Sequence, residues 1–230
     1  MSTNEDIQKN EALEPPVNKD PSSSRLIITL ALAGLVAGIL ISGVNLYTQP
    51  MIRANKAMAL RKAIFQVLPG CTDYQPLILD NGKLKEIEPS EGVSNPDIPQ
   101  TIFAGYDETE ALVGLALVAQ EPGFQDIVSG IFGYDPIAKI IVGFEVLESK
   151  ETPGLGDKII KDPGFRENFT ALATEPEITG VKQGQKQKAN EVEMITGATI
   201  SSKTVVRLLN KGLGETKHAM EAFAKEKSTK

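Results

Sequence analysis

From Leu26 to Tyr47 the chain carries no charged residue and is rich in Leu, Ile, Ala and Gly, matching the roughly 20 apolar residues that a helix needs to cross a bilayer core. The pattern predicts a transmembrane helix over 26–48. A cleaved signal peptide is the competing reading, but the run exceeds an ordinary signal core and Ile41-Ser42-Gly43 is a poor small-x-small cleavage site, so the span reads as an uncleaved anchor. Residues 1–25 are polar, mixed in charge and broken by Pro15, Pro16 and Pro21, the composition of a disordered tail. Over 49–69, Ile52, Ala59, Ala63, Ile64 and Val67 recur at helical spacing among Arg53, Lys56, Arg61 and Lys62. This predicts a membrane-proximal helix lying along the lipid headgroups, stopped by Leu68-Pro69-Gly70. Leu68 to Cys71 superficially matches a lipoprotein cleavage box, but it lies too far beyond the apolar run, with charges between.

The remainder predicts one extramembrane domain over 70–215. Thr72 to Gln100 is rich in Pro, Asn, Asp, Ser and Gly, with only fragments such as Leu77 to Leu79 suggesting strand, and reads as an irregular elaboration. Strand patterns follow at Thr101–Tyr106, Leu112–Ala119, Ile127–Tyr134 and Lys139–Leu147, separated by tight turns, which predicts a mainly antiparallel sheet. Phe165, Phe169 and Leu172 share a face of a short helical pattern, Glu177–Val181 suggests a strand, and Lys182–Glu191 reads as a solvated loop or hairpin tip. Val205, Leu208, Leu209 and Gly212 form an apolar stripe opposite Lys203, Arg207 and Lys211, an amphipathic helix. Residues 216–230 continue as a charged helix or fray into a tail. The fold class is α+β: a single N-terminal transmembrane helix, then a mainly antiparallel sheet packed by helices.

Composition narrows the chemistry. A net charge of −6 over 230 residues, with no concentrated basic face, argues against nucleic-acid binding. One cysteine and one histidine exclude an internal disulfide, a thiolate zinc site and a Cys-ligated iron–sulfur cluster, so no metal site is expected and any redox chemistry needs an organic cofactor.

Two short motifs carry the candidate chemistry. Glu151-Thr152-Pro153-Gly154-Leu155-Gly156 allows close backbone approach to a flat ligand. Thr196-Gly197-Ala198-Thr199-Ile200-Ser201-Ser202 brings small residues and hydroxyls to a helix start, where backbone N–H groups and the helix dipole favour an anion such as phosphate. Taken alone, Thr199 or Ser201 reads first as simply an N-cap.

Together, in this order behind one span and a basic helix ending in Leu-Pro-Gly, these motifs resemble the FMN-binding domain family, and most nearly the G subunit of the Rnf ion-translocating electron transport complex. The C subunit of the sodium-translocating NADH:quinone oxidoreductase is a related alternative, and a membrane-anchored FMN-binding regulatory or sensory domain is another. The resemblance implies FMN joined covalently to Thr199 through a phosphoester, with Thr196, Gly197, Ala198, Ser201 and Ser202 around the phosphate and Glu151, Thr152, Pro153, Gly154, Leu155 and Gly156 lining the flavin. It implies an electron relay within a redox-driven ion translocase, partnered by other membrane subunits and matured by a flavin transferase, with no turnover alone. It also implies a single-pass protein of the cytoplasmic membrane, tail inside and domain outside; the positive-inside count, with Arg53, Lys56, Arg61 and Lys62 after the span, points the other way. Two positions depart from the family pattern: Glu193 where an Asp is usual, and Ser149 where a His often stands.

Overall fold

The computed structural model describes residues 22–87 and 101–228. The expected tail, up to residue 21, and the part of the expected elaboration over 88–100 lie outside them. The chain divides into two units, Met1–Pro50 and Met51–Lys230.

Helix α1 (Ser23–Val67) runs through the boundary between them, with Pro50 inside it. In the first unit its apolar side chains are exposed, and an 18-residue window reaches a mean hydropathy of 2.5, so by length and composition it is able to cross a membrane. The sequence divides this region into a span and a separate headgroup-lying helix; the structure joins them, since one proline removes a single backbone donor without obliging the helix to end. In the second unit the stripe has a protein partner. Leu60, Ala63, Ile64 and Val67 are buried, with Leu68, against Phe103, Ala116 and Ile131 of the sheet, while Ile52 and Ala59 stay exposed. Helix α1 ends where expected, at Leu68-Pro69-Gly70.

The sheet is seven-stranded and antiparallel among the described residues: β1 (Asp73–Asp80), β2 (Lys83–Glu86), β3 (Ile102–Tyr106), β4 (Leu112–Pro122), β5 (Ile127–Asp135), β6 (Ile140–Glu148) and β7 (Leu172–Ala173), in the spatial order β2-β1-β3-β4-β5-β6-β7. The four central strands lie where the strand patterns and the turns between them predict. The first two do not: Asp73–Glu86 is a hairpin turned by Asn81-Gly82, both with positive φ, not an irregular elaboration. Between β6 and β7 come α2 (Lys158–Lys161) and α3 (Pro163–Glu167), the latter capped by Asp162, whose side chain accepts from the Gly164 and Phe165 amides. Phe165, Phe169 and Leu172 are all buried. The segment Lys182–Glu191 does not form a hairpin tip, because β8 (Thr179–Lys182) and β9 (Glu191–Met194) pair in parallel.

Helix α4 (Thr199–Ser228) covers the other face of the sheet. Its stripe extends through Leu213, Met220 and Phe223, all buried, so the charged C-terminal segment is helical to Ser228. Lys227 pairs with Glu86 at 2.9 Å and lies over the Tyr106 ring, fastening the helix end to β2 and β3. The sheet is therefore buried on both faces, by α4 on one and the end of α1 on the other.

Candidate functional site

The chain passes from β9 into α4 through Ile195-Thr196-Gly197-Ala198. Gly197 has φ +84°, a conformation a side chain disfavours, and an added Cβ there would find only Leu155, 4.0 Å away. Ser202 is fully buried; its hydroxyl accepts from the Ile195 amide at 3.1 Å and donates to the Ala198 carbonyl at 2.9 Å, tying the turn to the first turn of the helix. Helix α4 begins at Thr199, which is exposed. The capping alternative fails, because Ala198 precedes the helix and the Ser201 hydroxyl is directed elsewhere.

That hydroxyl donates to Glu151 Oε2. Glu151 is 5% exposed, and its other oxygen accepts from the Phe124 amide at 2.8 Å and the Gln125 amide at 3.1 Å. Three segments distant in sequence thus converge on one carboxylate: the β4–β5 turn, the loop after β6, and the start of α4. A second tie at the rim joins Lys150 to Asp126 at 2.7 Å, and the hydrogen bond from Lys150 holds the Asp126 carboxyl below its usual range.

Between these segments opens a cleft of about 300 Å³, lined by Phe124, by Glu151, Thr152, Leu155 and Gly156, and by Gly197 to Ser201. Phe124, Leu155 and Ile200 are 63%, 51% and 52% exposed, an unusual gathering of bare apolar side chains at the rim of a polar turn. A slightly larger pocket of about 330 Å³ between β4 and α4 contains no residue of either motif.

The structure brings together most of the residues singled out in the sequence, with corrections. Pro153, Gly154, Thr196 and Ser202 do not line the cleft; Thr196 donates instead to Gln183 at 3.3 Å. Ser201 and Ser202 spend their hydroxyls on Glu151 and on the turn, so neither is free to meet a phosphate. Glu193 accepts from the Gly184 and Lys186 amides, bracing the loop before β9, and Ser149 accepts from the Glu151 amide. Phe124 escaped the sequence reading. Its signal was an aromatic residue directly after Glu121-Pro122-Gly123, where a turn ordinarily places polar residues.

Residues 123–214, which contain both motifs and Phe124, match the FMN-binding domain family. The G subunit of the ion-translocating oxidoreductase complex of Methanosarcina acetivorans is 27% identical over 191 residues, covering 81% of this chain and 90% of that protein. The G subunit of the Na(+)-translocating ferredoxin:NAD(+) oxidoreductase complex of Acetobacterium woodii is 25% identical over 186 residues, covering 81% and 87%. In fold, the chain is similar to the crystal structure of Shewanella oneidensis NqrC, with a TM-score of 0.57 and 17% identity over 77% of this chain and all of that one. It is likewise similar to the C subunit of the Na(+)-translocating NADH-quinone reductase of Parabacteroides distasonis, with a TM-score of 0.58 and 18% identity over 74% and 94%. Residues 123–214 are thus similar to the FMN-binding domain family, within a chain similar over four fifths of its length to the G subunits of ion-translocating oxidoreductase complexes.

Proposed function

We propose that this chain is an electron-carrying flavoprotein subunit of a membrane-bound, ion-translocating oxidoreductase, with FMN joined to Thr199 through a phosphoester. The observation that carries the reading is the meeting of both motifs in one cleft, with Thr199 exposed at the first residue of a 30-residue helix. The residues fit the cofactor. Gly197 leaves the approach to Thr199 open, and Phe124, Leu155 and Ile200 offer apolar surface to a flat ring.

When bound, FMN supplies reversible electron transfer. The protein's part is to hold it. Thr199 Oγ forms the bond to phosphorus while the phosphoanhydride of the flavin's FAD donor breaks, AMP leaves and the hydroxyl proton is lost, a reaction assigned to the transferase. The diester keeps a negative charge, which the N–H groups of the first turn of α4 and its dipole stabilise. With the hydroxyls of Ser201 and Ser202 engaged elsewhere, backbone donors carry this task. Electrons arrive from and return to other membrane subunits, as the names of the relatives suggest, so the isolated chain is expected to turn over no substrate. The test is the mass of the tryptic peptide spanning residues 189–203, taken from full-length protein produced beside a flavin transferase. It should be heavier by one FMN less one water, with the adduct on Thr199; an unmodified peptide would sink the reading.

The domain is placed on the outer side of the membrane, against the charge count. Cys71 is a poor reporter of this. Burial pushes its thiol up, lowering the reactive thiolate at neutral pH, and its Sγ donates to the Asp73 carbonyl. Ile137, 74% exposed in the β5–β6 turn, is the better site. An Ile137→Cys chain lacking Cys71 should react with a membrane-impermeant maleimide on intact cells; labelling only after lysis would reverse the topology.

A further inference from the structure

Glu151 sits in the cleft wall, yet its carboxylate is turned into the protein. Oε1 is occupied by two backbone donors, Phe124 and Gln125, and Oε2 by the Ser201 hydroxyl. The chain makes room for this carboxylate at two glycines. A Cβ on Gly123 would overlap Glu151 Oε1, and one on Gly156 would come within 2.8 Å of both Glu151 Cβ and Oε2. Ser201 lies two residues beyond Thr199 in the first turn of α4, and Phe124, from the β4–β5 turn, lines the same cleft.

We infer that Glu151 is a positioning residue: acting through Ser201, it fixes the first turn of α4, and with it Thr199 Oγ, against the wall that carries Phe124. Its part is geometric. A glutamine at 151 keeps an oxygen for the two amides and offers an NH2 to Ser201, whose hydroxyl can turn to accept. An alanine keeps neither contact. Ser201→Ala cuts only the link to α4 and leaves the β4–β5 turn held.

Hydrogen exchange of the full-length, flavin-free chain in detergent reads the clamp without reference to any cofactor. Glu151→Ala should speed exchange at Phe124 and Gln125 by about tenfold, the loss expected when a charged acceptor is withdrawn. Ser201→Ala and Glu151→Gln should leave these two amides protected. Loading by the transferase, an arm that rests on the proposed function, should slow by at least about tenfold in both Glu151→Ala and Ser201→Ala, because displacing a reacting atom by about 1 Å costs that much or more. The double variant should load no more slowly than Glu151→Ala, and Glu151→Gln should load within about threefold of the native rate. Native loading in Ser201→Ala, or a folded Glu151→Gln that fails to load, would overturn the inference, the latter by showing that charge and not geometry matters. Native exchange at Phe124 and Gln125 in Glu151→Ala would also overturn it. If the native chain itself takes no flavin, the proposed function fails while the exchange results still judge the clamp.

Discussion

A Thr199→Ala chain, produced beside its flavin transferase, is expected to run on a denaturing gel as a full-length band with no flavin fluorescence, where the native chain fluoresces. The loss should be complete, because a phosphoester needs an oxygen at that position and the other hydroxyls of the same turn are engaged elsewhere. Ser201 donates to Glu151, Ser202 is fully buried within the turn, and Thr196 donates to Gln183 outside the cleft. Folding should survive. Thr199 is exposed at the first position of α4, and alanine is the best helix former, so the melting temperature should stay close to native. Thr199→Ser keeps the oxygen and should retain fluorescence. A fluorescent Thr199→Ala band would place the covalent link elsewhere or refute it.

The second large effect concerns the fold. Gly133 of β5 and Gly143 of β6 are cross-strand partners, and the last turn of α1 rests on them. A Cβ on Gly133 would overlap the Val67 carbonyl oxygen, and one on Gly143 would come within 2.7 Å of Val67 Cα. These are backbone atoms, which cannot swing aside as a flexible side chain does. Gly133→Ala must therefore lift the end of α1, exposing part of the cluster of Leu60, Ile64, Val67 and Leu68. The expected cost is about 3 kcal/mol, near the upper end for overpacking a well-filled interior. For a domain of this size that lowers the thermal midpoint by about 10 °C, measured by circular dichroism in detergent. Gly214→Ala is the control: it sits in α4 with nothing within 4 Å of an added Cβ and should be neutral or mildly stabilising. Equal midpoints for native protein and Gly133→Ala would show that α1 does not rest on the sheet as described.

The elements readable from sequence were those marked by an unbroken apolar run or by a helical stripe. The uncharged run from Leu26, the short apolar strands set off by turns from Thr101 to Leu147 and the stripe on α4 each lie where the pattern places them. The misreadings came where a pattern had two possible partners. The stripe of Ala63, Ile64 and Val67 suits lipid headgroups or a sheet equally well, and its sequence cannot say which surface is present. Asp73–Glu86 is polar enough for a loop, but Asn81-Gly82 makes the tight turn that lets it pair at the sheet edge.

At the site, the residues themselves determined a great deal. Only a hydroxyl side chain at 199, small residues before it and a helix after it are needed to suggest a phosphate anchor, and the second motif narrows the family. Local chemistry is written in neighbouring residues, and proximity along the chain preserves it. Tertiary structure alone decided which hydroxyls are free. Ser201 and Ser202 look as available as Thr199 in the sequence; folding engages one with a carboxylate 50 residues away and buries the other completely. It also decided that Phe124, from a turn between two strands, lines the same cleft as Thr199. Those choices depend on which distant segments the antiparallel pairing brings to the same end of the sheet, information that no single stretch of sequence contains.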